Sequence, residues 1–151
     1  ASKKAKKMGN FFSDLSSQKI VQAISDLEKE SYAELRIHIE DTCDEDPYER
    51  ALTVFYKLGM QNTRDASGVL IYISKDDRKA AVIGDKGINQ IVPPHYWEDI
   101  LQEMFSIFRQ ENLEKGILHG IQRIGEILKS SFPERRTPTN ELPNEISYGK
   151  V

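Results

Sequence analysis

The chain has 151 residues, the size of one domain that buries roughly 70% of the surface its unfolded form exposes. With 38% hydrophobic and 30% charged residues and a single cysteine, Cys43, it reads as a soluble globule and excludes a cystine-stapled secreted scaffold. The formal charge of −3 conceals an asymmetry, because Lys3, Lys4, Lys6 and Lys7 crowd the start while acids gather in short interior clusters.

No apolar run approaches the 18 or so residues of a membrane span, and the first 20 residues lack a signal peptide's apolar stretch, so a cytoplasmic location is expected. Residues 1–15 read as a flexible basic arm. No aromatic interleaving or basic helix face follows those lysines, which argues against nucleic acid as a partner.

From Ser16, Ile20, Val21, Ile24 and Leu27 recur at helical spacing, predicting a helix over 16–30. Ala33, Leu35, Ile37 and Ile39 then alternate with Glu34, Arg36, His38 and Glu40, the pattern of a strand buried on one face. His38 falls on the polar face and reads as a solvated or paired surface histidine. Asp46-Pro47-Tyr48-Glu49 has the form of a helix start, and that helix continues through Ala51, Leu52, Phe55 and Leu58 to a left-handed Gly59. The continuous apolar run Gly68 to Ile73 predicts a central strand, parallel to the first. A turn at Lys75 to Arg78 returns the chain into a third, antiparallel strand, Lys79 to Ile83.

Gly84, Gly87, Pro93 and Pro94 punctuate a loop before two helices. The first is marked by Trp97, Ile100, Leu101, Met104, Phe105 and Phe108, the second by Leu113, Ile117, Ile121, Ile124 and Leu128. Gly116 and Gly120 each cost the last helix roughly 1 kcal/mol against alanine, so close packing is expected there. Residues 133–151, with three prolines and almost no apolar residues, read as a disordered tail. The expected fold is a three-layer α/β/α sandwich with a small mixed sheet, in the order α-β-α-β-β-α-α, over residues 16–132.

Several chemistries drop out. Six residues separate Cys43 from Arg50, one more than a cysteine phosphatase loop has, and Asp44, Glu45 and Asp46 among them would repel phosphate. There is no nucleophile elbow or nucleotide-binding glycine loop, and one cysteine with three separated histidines offers no zinc spacing. Carboxylates remain. The parallel strands end at Glu40-Asp41 and Ile73-Ser74, so Glu40, Asp41, Asp44, Asp76 and Asp77 should share the crevice where open α/β sheets bind ligands. Such an edge suits a hard cation, Ca²⁺ or Mg²⁺. Turn preference accounts equally for Asp76 and Asp77, as helix capping does for the neighbouring Asp46 and Glu49 and solvent for Glu45. Asp85 leaves the opposite end of the sheet, where Asp65 and Asn89 could join it in a second oxygen cluster.

The segments Glu34 to Glu40, Gly68 to Ile73, Asp77-Arg78-Lys79 and Ile83 to Asn89, with the ending Ser131-Phe132-Pro133, resemble the TPM domain family. That family is named for a thylakoid lumen protein, a photosystem II repair protein and a nematode receptor modulator. The resemblance covers roughly residues 16–133 and implies an α/β/α fold, divalent-cation binding in acidic loops, and the acid phosphatase activity claimed for plant members. Many relatives carry a Gly-Tyr-Gly-Leu-Glu segment after the third strand. Here Gly84 to Asn89 stands in its place, with Asn89 where that glutamate would be, which points to the short soluble bacterial branch.

The leading expectation is therefore a Ca²⁺- or Mg²⁺-binding interaction or regulatory module, monomeric, with an unidentified protein partner and no firm catalytic role. The alternative is a metal-dependent acid phosphatase acting on phosphate esters.

Overall fold

A computed structural model describes residues 14–134 and 146–151. Helix α1 (Asp14–Glu28) leads into strand β1 (Leu35–Glu40), helix α2 (Pro47–Lys57), a 3₁₀ turn at Arg64–Ala66 and strand β2 (Val69–Ser74). Strand β3 (Lys79–Gly84), a short helix α3 (Lys86–Asn89), helices α4 (Tyr96–Gln110) and α5 (Leu113–Ser131), and a two-residue strand β4 (Ser147–Tyr148) complete the chain.

The sheet order is β3-β2-β1-β4. β1 and β2 pair in parallel from Leu35 opposite Val69 to Glu40 opposite Ser74, and β3 returns antiparallel to β2, as the spacing of the apolar runs predicts. Alternation along β1 sends Leu35, Ile37 and Ile39 to one face, where they meet Ile24, Met104, Ile117 and other buried residues of α1, α4 and α5. On the other face Leu70, Tyr72, Ala81 and Ile83 pack against Ala51, Val54 and Phe55 of α2. Because β2 is covered on both faces it needs an unbroken apolar run rather than an alternating one. Each fully buried isoleucine of this core contributes roughly 1.5–3 kcal/mol.

Local signals behave as their chemistry requires. Asp46 caps α2, its side chain accepting from the Glu49 amide at 3.1 Å with Pro47 in the first turn, and Gly59 beyond its end has φ of +74°. A Cβ on Gly116 would lie 2.1 Å from the Phe108 ring, and one on Gly120 2.7 Å from the Met104 sulfur, so these glycines let α4 and α5 approach as expected.

Two segments differ from expectation. The loop after β3 contains α3, because the Asp85 side chain accepts from the Lys86 amide and Ile88 is fully buried beneath it. The tail over 133–151 is not disordered at its described ends. Glu134 N donates to Glu30 O, and Ser147–Tyr148 pairs parallel to β1 opposite His38 and Ile39. Residues 135–145, and all of the basic arm up to Ser13, lie outside the described residues.

At Gly87 a Cβ would sit 1.8 Å from the Asp65 carbonyl oxygen, a backbone atom that no rotamer change can move. Gly87→Ala is expected to destabilise the protein by about 1–3 kcal/mol, read as a lower midpoint in urea unfolding. An unchanged midpoint would mean that the 3₁₀ turn and α3 are not held in this contact.

Candidate functional site

The parallel ladder between β1 and β2 continues past both strands. Lys75 N donates to Glu40 O and Asp76 N to Asp41 O, each at 2.9 Å, so the loop after β1 and the turn after β2 leave the sheet side by side. Two carboxylates from these loops converge on one ammonium group, with Lys75 Nζ 2.7 Å from Asp41 Oδ1 and 3.0 Å from Asp76 Oδ1. The hydrogen bond to Asp41 is the chief reason the Lys75 ammonium is held above its usual range, with Asp76 adding to it.

Asp77, itself exposed, ties the two loops together instead, accepting from the Cys43 amide and from Ser74 Oγ at 3.3 Å. Asp44 is exposed. The expected acidic edge is thus real as a neighbourhood, but its members have separate tasks.

Glu40 points away from that solvent-facing pair. Its side chain is wholly buried between the sheet and α2, where Arg50 grips both oxygens, Nε at 3.0 Å from Oε1 and Nη2 on Oε2. The Tyr72 hydroxyl donates to Oε1 at 2.7 Å, and Lys150 Nζ reaches the same atom at 3.3 Å. His38, also fully buried, lies 3.2 Å from Oε2 through Nε2. An ionised carboxylate only accepts, so Nε2 donates to Glu40, while Nδ1 lies 2.8 Å from the Ser147 hydroxyl, which itself lies 3.2 Å from Ile37 O.

Burial alone would raise the Glu40 pKa, but the hydrogen bonds from Arg50, Tyr72 and His38 outweigh it and bring the value down to about 2. Burial lowers the His38 pKa despite its carboxylate neighbour, and burial together with the bond to Glu40 raises that of Tyr72. The surface reading of His38 is corrected here: α2 over the polar face of β1 and β4 beside the strand turn that face into an internal ionic layer.

At the opposite end of the sheet, Asp85 caps α3, Asp65 accepts from the Tyr32 hydroxyl, and Asn89 bridges Gly84 O and Trp97 Nε1. Arg50, Tyr72, Lys75, Ser147 and Lys150 were not among the candidates. Arg50 could have been found, since it lies one turn before Val54 on the buried stripe of α2, whereas Ser147 and Lys150 sit in a segment without apolar periodicity. Arg50 serves Glu40, and Cys43 Sγ donates to Glu45 O at 3.2 Å, so the pair does not form a phosphate loop.

Among the described residues no three His, Cys, Asp or Glu side chains are grouped to hold a metal ion. The residues present do not form the six-to-eight-oxygen cage of a tight Ca²⁺ site. Among the described residues no helix is long and apolar enough to cross a membrane.

The family model described as TPM domain matches residues 6–127. The structure of BA42 from the psychrophilic bacterium Bizionia argentinensis is similar over 95% of this chain and 99% of its own, with 38% identity and a TM-score of 0.86. The N-terminal domain of cg2496 from Corynebacterium glutamicum shares the fold at 14% identity and a TM-score of 0.63, covering 87% of this chain and 84% of that one. An N-terminal domain from P. gingivalis does so at 16% and 0.67, covering 82% and 80%. No curated protein matches.

Replacing Glu40 by Gln leaves the buried Arg50 guanidinium without its counter-charge, and a loss of about 3–5 kcal/mol is expected in urea unfolding. The pH dependence follows from two depressed values. His38 contributes stability that is present above its ordinary value of 6.5 and lost as pH falls through its lowered folded value. Glu40 contributes stability that is present above 4.5 and lost as pH falls toward about 2. The unfolding midpoint of the wild type should therefore fall on acidification in both windows, and that of Glu40→Gln should lack the lower one. A midpoint flat from pH 7 to 3 would contradict the buried network.

Proposed function

This chain belongs to the TPM domain family, and we propose that it acts as a non-catalytic binding module that takes a divalent cation, Ca²⁺ or Mg²⁺, at the carboxyl edge of β1 and β2. The supporting observation is the convergence of Asp41 and Asp76, from separate loops, on the single position held by Lys75 Nζ. A cation arriving there displaces the ammonium, gains both carboxylates and completes its shell with water. Asp44 lies in the same loop as Asp41 and is exposed to solvent. Asp77 and Glu40 stay with their internal partners and shape the loops rather than ligate. Affinity is modest, because two carboxylates against one competing lysine leave most of the coordination to solvent.

A binding role fits the cationic groups better than catalysis does. Arg50 is committed to Glu40, Lys75 to the two aspartates and Lys79 Nζ to the Cys43 carbonyl at 3.1 Å, so these three are not free to hold a phosphate ester.

The test is a Ca²⁺ titration of the full chain followed by amide NMR. Saturable shifts are expected over residues 40–46 and 74–78 and no saturation in an Asp41→Asn, Asp76→Asn double variant. Lys75→Met should tighten binding by up to about fivefold, since the partly exposed ion pairs it removes are worth about 1 kcal/mol. No saturable shift at millimolar cation would overturn the reading. Cation-dependent hydrolysis of p-nitrophenyl phosphate would replace it with the phosphatase.

A further inference from the structure

β3 forms one edge of the sheet, and among the described residues no strand pairs with its outer side. The direction of its backbone groups follows from the ladder. Asp85 N donates to Gly68 O at 2.9 Å, so the Gly68–Asp85 pair is hydrogen-bonded, and in an antiparallel ladder bonded and non-bonded pairs alternate. With Val69 opposite Gly84, Leu70 opposite Ile83 and Ile71 opposite Val82, residues 79, 81 and 83 bond to β2 while Ala80, Val82 and Gly84 turn their N–H and C=O groups outward. The Gly84 carbonyl obeys this, accepting from Asn89 Nδ2 at 2.6 Å. Among the described residues no hydrogen bond reaches the outward groups of Ala80 and Val82, although these residues are only 9% and 4% exposed. Outward N–H and C=O groups of an edge strand are a template for a further strand.

These groups form the floor of a groove of about 490 Å³ that includes Ala80, Ala81 and Val82. One wall is Pro47 and Tyr48 at the start of α2, and the other is Pro94, Trp97 and Leu101 at the start of α4. Tyr48 is 51% exposed. The surroundings are acidic on balance. Glu98 lines the groove with its carboxylate 2.6 Å from His95 Nδ1, and Asp46, Glu49 and Asp99, each next in sequence to a lining residue, are exposed. They also offset the positive ends of α2 and α4. His95 is the basic residue that lines the groove, paired with Glu98, whereas Arg78 and Lys79 on the strand do not line it and Lys79 is held by the Cys43 carbonyl. Edge strands are commonly blunted by proline or by lysine, and the middle of β3 carries neither.

We propose that this groove receives an extended, lysine- or arginine-bearing segment of a partner protein, which adds to β3 as a fifth strand. Main-chain hydrogen bonds to Ala80 and Val82 supply the pairing, and alternate side chains of the added segment reach the tyrosine wall and the tryptophan wall in turn. Its basic residues meet these acidic surroundings. Neither Asp41 nor Asp76 takes part, so the inference is independent of the cation site.

The experiment uses the full chain in the presence of EDTA, with an acetylated and amidated Lys-Val-Lys-Val-Lys-Val peptide as probe. Saturable amide shifts are expected at Ala80, Val82 and Gly84, together with the Trp97 indole, and slowed hydrogen exchange at Ala80 and Val82. Glu-Val-Glu-Val-Glu-Val and a Lys-Val peptide N-methylated at alternate residues should each bind at least about tenfold more weakly. The N-methylated probe removes the ladder bonds without any risk to the protein's own folding. Three results would overturn the proposal: equal binding of the N-methylated probe, equal binding of the acidic probe, or no shift at millimolar peptide. Shifts at β3 that depend on protein concentration alone would identify a second copy of this chain as the occupant instead, and overturn the choice of partner.

Discussion

The buried ion pair between Glu40 and Arg50 is the constraint on which the architecture of the carboxyl edge depends. Glu40 is the last residue of β1, Arg50 lies on the inner face of α2, Tyr72 comes from β2 and Lys150 from beyond β4, so one carboxylate gathers four elements. A desolvated charge tolerates few alternatives, since every oxygen lone pair left unmet costs free energy that water would otherwise supply. The layer between the sheet and α2 therefore accepts one register of β1 against β2. That register places Asp41 beside Asp76.

The C-terminal residues are recruited by the same layer. A two-residue strand has little pairing energy of its own, but Ser147 serves His38, Gly149 N donates to Ile39 O, and Lys150 meets both Glu40 and the Thr42 carbonyl at 2.9 Å. β4 thereby shields the polar face of β1 from water, and this shielding helps hold His38 neutral. Binding at the edge would be felt by β4 through this layer, since Asp41 is the next residue after Glu40.

The sandwich was legible because the alternation of β1, the unbroken apolar run of β2 and the 3.6-residue period of α4 and α5 are strong, and because Asp46-Pro47 and Gly59 state the limits of α2 in their own chemistry. The neighbourhood of Asp41, Asp76 and Asp77 followed from topology alone, since parallel strands joined by a crossover must end together. What the pattern could not carry was direction. Alternation assigns His38 and Glu40 to the polar face of β1, but only the tertiary position of Arg50 turns that face into a buried layer. α3 was hidden for a similar reason, being four residues held by a cap and by Ile88 rather than by periodicity. β4 follows a proline-rich stretch and is specified by partners far away in sequence.

The central claim is that Glu40 and Arg50 act as one unit, and a double-mutant cycle tests it most directly. Urea unfolding of Glu40→Gln, Arg50→Met and the double variant gives the coupling free energy. The account predicts that the double variant is more stable than the sum of the two losses allows, by about 2 kcal/mol or more, because removing both charges leaves neither one stranded. Additive losses, within about 0.5 kcal/mol, would contradict it.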